Sequence, residues 1–322
     1  MGLVALTAAL VIPSLAGPLG QVLQMVLPGI AACYMAAIGH RTASIAVSAV
    51  LALSVLLLLA LGDIAGVMIL FQSVLIAAGI YLSLLRRWSG TETWVVLSSG
   101  LSLLFLLFLL AGSGGDFTKA LSEITGLVNQ ELDRGIQAVI ANLEQQKPGP
   151  ELMAIMESEL QQFKETLIYY FPGIMGAGMV ITALLNLWSF RYCRLKAMAR
   201  FPRPEYTIYG ILLPFASWRL PFWLVWIFIA GGILAAGTQG VWQRVGCNLV
   251  LSCCLFYLIQ GFWVVRYFFH RLNVPWWIRG VVYLLIGIQW YGLLLVVLTG
   301  LLDTWMDFRT TLDRAKSSQD EQ

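Results

Sequence analysis

The chain has 322 residues, 59% of them hydrophobic and only 11% charged, with a net charge of +3. Soluble domains run at about 45–50% apolar and about 25% charged residues, so there is too little polar material here to coat a soluble fold of this length. A soluble enzyme, a nucleic-acid-binding domain and a disordered scaffold are excluded, and a mean hydropathy of +0.80 points to a polytopic membrane protein.

A helix needs about 20 apolar residues to cross the hydrocarbon core. By that measure the chain offers up to nine spans, near 3–17, 19–39, 42–62, 64–85, 93–112, 167–190, 217–238, 245–267 and 279–302. Continuous runs such as Leu101–Leu110 lack the alternation of barrel strands. The expected fold is therefore all-α, a bundle of about eight to nine spans. The first segment carries Pro13 and is followed by Gly17-Pro18; without a basic n-region or a cleavage site it reads as a retained helix, not a signal peptide. With Pro28 in the second span, residues 3–39 form a bent hairpin.

Lys and Arg in short loops set orientation. Arg41, Arg86-Arg87, the cluster Arg191, Arg194, Lys196, Arg200 and Arg203, and the group Arg266, Arg271 and Arg279 all fall on one side, assigned to the cytoplasm. Gly62-Asp63 and residues 113–166 then lie outside. Nine spans place the C-terminus outside as well, whereas Arg309, Arg314 and Lys316 favour the inside.

Between Ser113 and Tyr170 stand nine of the seventeen acidic residues against four basic ones, a net charge of −5 that leaves +8 for the rest. Phe117, Leu121, Ile124, Val128, Leu132, Ile136, Val139 and Leu143 recur at three- and four-residue steps. Lys147-Pro148-Gly149-Pro150 breaks that stripe, and a second follows through Leu152, Ile155, Met156, Leu160, Phe163 and Leu167. Two amphipathic helices in an acidic extracytoplasmic hairpin are expected, the second running on into the sixth span. Residues 201–220 hold a proline-bounded apolar run with aromatics and Arg219, suited to the cytoplasmic interface or to a re-entrant segment. The expected organisation is a bundle over 1–112, the hairpin over 113–166, a second bundle over 167–302 and a polar tail over 303–322.

Chemistry-bearing constellations are scarce. The five cysteines show no C-x-x-C spacing and have no nearby histidine, so neither a zinc site nor a disulfide framework is expected. His40 and His270 lie beside Arg41 and Arg271 with no carboxylate at reach and read as interface anchors. No H-E-x-x-H, G-x-S-x-G or P-loop occurs. No catalytic residue, metal or cofactor is expected.

Amides inside spans carry more information, because an unpaired polar group is costly in hydrocarbon. They are Gln21, Gln24, Gln72, Asn186, Asn248, Gln260 and Gln289. They either tie helix to helix or converge on a pocket for a small polar solute, for which Gln72, Asn186, Asn248, Gln260 and Gln289 are the candidates. No Asp, Glu, Lys or Arg falls in the middle third of a span, which argues against a charge-relay pump or a charged-ring channel. Small residues four apart, Ala5/Ala9, Ala32/Ala36, Gly173/Ala177, Gly231/Ala235 and Gly232/Ala236, allow close helix contact, and Ala5 and Ala9 form a candidate docking face. Asp303 and Asp307 share one face of a helix end that reads as solvated, or as pinned to another loop.

The pattern Phe215-x-x-Trp218-Arg219-Leu220-Pro221, then Asn248 and Gln260-Gly261, then Leu302-Asp303-x-Trp305-x-Asp307-Phe308-Arg309 resembles the YybS-like family of bacterial membrane proteins. The resemblance covers most of the chain and implies a multi-pass protein of the bacterial inner membrane with no known catalytic residues. That family is distantly similar to the substrate-binding membrane subunits of energy-coupling-factor transporters, in which Ala-rich faces dock a coupling protein; Ala5/Ala9 would be the matching feature. About three extra spans and the acidic hairpin depart from that pattern. The expected role is a transporter-like or solute-binding membrane subunit without catalytic activity. The alternative is an assembly or scaffold protein that contacts membrane partners, or further copies of itself, through the hairpin and small-residue faces.

Overall fold

The computed structural model describes residues 18–38, isolated positions between 45 and 60, and residues 64–145, 149–200 and 218–306. The expected first span, Ala5 and Ala9, most of the third span, most of the 201–220 segment and nearly all of the tail lie outside the described residues. Every regular element among the described residues is an α-helix. They are α1 (Pro18–Gln24), α2 (Leu27–Ile38), α3 (Ile64–Arg86), α4 (Gly90–Gly112), α5 (Phe117–Gln145), α6 (Pro150–Arg200), α7 (Trp223–Gly237), α8 (Val241–Arg271), α9 (Trp276–Ile288) and α10 (Trp290–Met306).

Four helices are long and apolar enough to cross a membrane, within α3, α4, α6 and α8; α9 and α10 make a fifth if the pair is one span. The expected span 279–302 is not straight. It breaks at Gln289, and α9 and α10 are bent by 105°. The expected span 217–238 contracts to the 15 residues of α7, and the expected span 19–39 is split by a turn at Met25-Val26. Pro28 explains the second division: a proline is well placed in the first turn of α2 but has no N–H to continue a helix from α1.

Local signals set the helix ends. Ser89 caps α4 by accepting the Glu92 N–H, while the Glu92 carboxylate accepts the Ser89 N–H at 2.8 Å, a reciprocal capping box. Arg87, with φ at 58°, turns the chain between α3 and α4. α5 and α6 pack side by side, joined across their polar faces by Lys164 Nζ donating to Asp133 Oδ1 at 2.6 Å. The apolar stripe on α5 faces inward only in part: Ile136 is buried, Ile124, Val128, Leu132 and Leu143 are half-buried, and Val139 is exposed. No break separates the amphipathic second stripe from the sixth span. α6 is one helix of 51 residues, about 75 Å long, more than twice the ~30 Å hydrocarbon core.

The core lies where α2, α3, α4, α6, α7 and α8 meet. Trp94, fully buried, donates its indole N–H to the Val180 carbonyl at 2.9 Å and packs on Phe256 and Trp263. Trp218 meets Trp263 edge-on, so the chain just before α7 is held against the start of α4. Small residues let the helices cross closely. Gly246 of α8 lies on the Gly231–Ala235 backbone of α7, so that pair serves internal packing. Ala32 and Ala36 are buried in the same core.

Candidate functional site

Prolines inside or at the start of apolar helices leave carbonyls without an N–H donor, and in hydrocarbon a side chain must supply one. The intramembrane amides do this. At Pro28-Gly29, the Asn186 side chain from α6 accepts the Gly29 N–H at 2.8 Å and donates to the Gln24 carbonyl at 2.8 Å, the carbonyl that Pro28 cannot serve. Ser189 adds a bond to the Val26 carbonyl at 2.8 Å. Asn186 is fully buried, and a Cβ on Gly29 would collide with its backbone, so only glycine admits this approach.

The arrangement recurs at Pro172-Gly173 within α6. Asn248 from α8 accepts the Gly173 N–H at 2.7 Å and donates to the Tyr169 carbonyl at 3.0 Å, bridging two groups that an unbroken helix would pair directly. Arg244, one turn earlier on α8, completes it. Its guanidinium donates to the Ile168 carbonyl, orphaned by Pro172, at 2.5 Å and to Tyr169 at 3.2 Å, and lies 5.6 Å from the Tyr169 ring centre.

Gln260 makes a third tie. Its Oε1 accepts the Leu220 N–H, just ahead of Pro221, at 2.9 Å; its Nε2 donates to the Gly300 carbonyl at 2.9 Å and to Asp303 Oδ2 at 3.2 Å. Leu220, Gln260 and Asp303, distant in sequence, thus meet in one buried knot. Asp303 is not at a solvated helix end: it is 3% exposed, pinned inside the bundle through Gln260. Arg194, expected in a loop cluster, is likewise buried on the continuous α6.

Gln72 pairs with Gln24, whose Nε2 donates to Gln72 Oε1 at 2.8 Å across α1 and α3. Gln289 is exposed at the α9–α10 bend and joins no other amide. The five candidate amides therefore do not converge. They occupy separate junctions, and four of them splint or tie helices.

One of those junctions opens onto a cavity of about 500 Å³ between α4, α6, α7 and α8. Its walls are mainly apolar, from Val95, Val180, Leu224, Ile227, Leu249 and Phe256, with Ser102, Ser252, Asn248 and Arg244 toward the Pro172 end. A second cavity, about 240 Å³ between α4, α5 and α6, shares Ser102, Pro172 and Gly176 with the first. Of the five candidate amides, only Asn248 lines either cavity.

The family model of predicted membrane proteins designated DUF2232 matches residues 5–304. The chain belongs to the DUF2232 family. It is thus a membrane protein, and its long apolar helices fit that assignment. Neither the curated proteins nor the solved structures contain a match. The match takes in the Pro28 and Pro172 junctions, Arg244 and the Gln260 knot, so these lie within the family domain.

Sequence reasoning did not single out Arg244, because it falls at the edge of an expected span. The usable signal was the pair of Pro-Gly steps in apolar helices, each requiring polar groups from a neighbouring helix. Among the described residues, no group of His, Cys, Asp and Glu is arranged to hold a metal ion.

Proposed function

We propose that this DUF2232 protein is a membrane-embedded binding subunit, without catalytic activity of its own, whose ligand occupies the α4–α6–α7–α8 cavity. The cavity carries this reading. Its volume of about 500 Å³ lies within the about 300–1,000 Å³ of small-molecule sites, and it is lined in their manner, apolar with a few polar groups at one end. Pro172 opens the hydrogen-bond ladder of the continuous helix α6 in this wall, where the Gly173 N–H turns to Asn248. The resemblance to the YybS-like family and, through it, to the substrate-binding subunits of energy-coupling-factor transporters supports the same role, in the inner membrane of a bacterium. The dispersal of the amides moves the site away from Gln72 and Asn186, and the apolar walls favour a less polar ligand than the amides alone suggested.

Gentle purification followed by mass spectrometry of the intact protein tests this. A bound small molecule is expected, lost in Ser102→Phe, which fills the junction of the two cavities, with the melting temperature retained. An occupant that survives this filling, or none in protein extracted without delipidation, would count against the reading.

A second role has its own observation. Leu127, Leu152, Ile155 and Phe163 leave the α5–α6 hairpin with exposed apolar side chains, a surface suited to a membrane partner or a second copy. We propose that the acidic hairpin stands on the extracytoplasmic side, opposite the Lys- and Arg-rich loops. Deleting residues 116–147 should then release co-purifying proteins, and an unchanged set of partners would sink the scaffold role.

A further inference from the structure

We propose that the occupant of the large cavity is a single-chain amphiphile carrying one anionic oxygen headgroup, a carboxylate or a phosphate, held at Arg244 with its chain directed toward Phe256. This rests on the cavity being a binding site and adds the chemical class of its ligand.

Shape is the first reason. From Arg244 to Phe256, α8 contributes Asn248, Leu249, Ser252 and Cys253 to the wall at helical spacing, a run of about 18 Å along the helix axis. The two ends differ in chemistry. Arg244 and Asn248 mark one, beside Pro172 and Ser102; Phe256 marks the other, with Val180 and Leu224 near it. A long site that is polar at one end and apolar at the other matches a molecule of the same build.

Charge is the second. No carboxylate stands within ion-pair distance of Arg244 among the described residues. Between Glu165 and Asp303 the only acidic residue is Glu205. Arg244 uses two N–H groups on neutral carbonyls, which orient the guanidinium without neutralising it. A guanidinium carries five N–H donors, so several stay free for a bidentate contact with a carboxylate or phosphate. A cation against apolar walls is costly unless an anion accompanies it.

The remaining polar groups argue against an uncharged polar solute. Ser102 donates to the Ser98 carbonyl, Ser252 to the Asn248 carbonyl, and the Asn248 amide serves the α6 break. These donors are committed within the protein, as is that of Ser98 to the Trp94 carbonyl; the Ser99 hydroxyl remains for a neutral contact, and Arg244 is the charged recognition group among the lining residues. The volume of about 500 Å³ suits one chain better than a two-chain phospholipid.

The test uses the full-length protein in nanodiscs of zwitterionic lipid, with radiolabelled palmitate, palmitoyl lysophosphatidate and hexadecanol as probes and empty discs as background. At least one anion should bind about tenfold or more tightly than hexadecanol, the size expected of charge-assisted hydrogen bonds. Arg244→Gln should lower anion affinity about tenfold more than hexadecanol affinity, and Arg244→Lys, which keeps the charge but loses the guanidinium fork, should recover only part of the preference. Tighter palmitate marks a carboxylate ligand, tighter lysophosphatidate a phosphate ligand. Anions that bind wild type no better than hexadecanol would overturn this proposal while leaving the cavity reading in place. No saturable binding of any probe overturns both. The wild-type ratio of anion to alcohol decides the matter even if a variant fails to fold.

Discussion

The two Pro-Gly breaks solve one problem in two ways. At Pro28-Gly29 the repair is neutral and sealed: Asn186 is wholly buried, and Ser189 supplies the remaining hydroxyl. At Pro172-Gly173 an asparagine again bridges the broken turn, but the third partner is the Arg244 cation, and the junction borders a cavity. A neutral amide, that of Asn186, suffices to satisfy the carbonyl orphaned by Pro28. An arginine in that position has hydrogen-bonding capacity beyond this repair, and it lines the cavity to which the proposed ligand is assigned.

If the first junction is purely structural, steric damage there should cost the most. Gly29→Val would drive its Cβ into the Asn186 backbone and the Ser189 hydroxyl. A loss of about 3 kcal/mol or more is expected, seen as a collapse in folded yield or a large fall in melting temperature in detergent. A wild-type melt would mean that the two helices do not approach so closely.

The asparagines separate the junctions next. Asn186→Leu strands the Gly29 N–H and the Gln24 carbonyl in a sealed interior, at about 1–3 kcal/mol for each unsatisfied group. Asn248→Leu strands the Gly173 N–H, but the Tyr169 carbonyl keeps Arg244, and the neighbouring cavity can admit water. Asn186→Leu should be the more destabilising by roughly 1–2 kcal/mol. Thermal melts of the two variants compare them directly, and a reversed order would break the distinction between sealed and open repair.

The prolines themselves should respond with opposite signs. Pro28 sits in the first turn of α2, where proline is favourable, so Pro28→Ala should lower stability by about 0.5–1 kcal/mol. Pro172 lies in the interior of α6, and alanine there restores a donor for the Ile168 carbonyl. Pro172→Ala should be neutral or stabilising and should weaken ligand binding, because Arg244 loses the need for its present position. Equal and opposite-to-expected shifts in the two melts would remove the functional difference between the breaks.

Much of this fold was legible because hydrocarbon imposes strong rules. Long apolar runs marked α3, α4, α6 and α8, and the stripes before and after Pro148 marked α5 and the first part of α6. Pro28 marked a bend in the second span, where α1 and α2 divide, but nothing marked the 105° bend at Gln289. Composition does not distinguish a straight apolar segment from one whose two halves find different partners. The amides were visible as residues that must be satisfied, but not with which partner: pairing depends on helix register across 157 positions for Asn186 and Gly29. Asp303 looked like a helix end because the apolar run stops there; its burial comes from Gln260, 43 residues away. Arg244 was hidden for the same reason, since span edges ordinarily carry basic residues that face solvent.

The smallest effect should come from Gln72, which tests whether an amide outside either junction matters to binding at all. Gln72 is only half-buried, and its recorded bond is accepted from Gln24 Nε2 at 2.8 Å, a donor that also lies 3.4 Å from the Ile69 carbonyl. Removing the acceptor in Gln72→Leu leaves Gln24 with an alternative and sets an apolar side chain against apolar neighbours. The cost should be about 0.6–1.7 kcal/mol, the range of interhelical hydrogen bonds in membrane proteins, with probe binding in the cavity unchanged. A larger loss of stability would mean that α1 depends on this tie as strongly as α2 depends on Asn186. Lost binding with normal stability would instead move the site back to the α1–α3 contact and leave Arg244 as a structural brace.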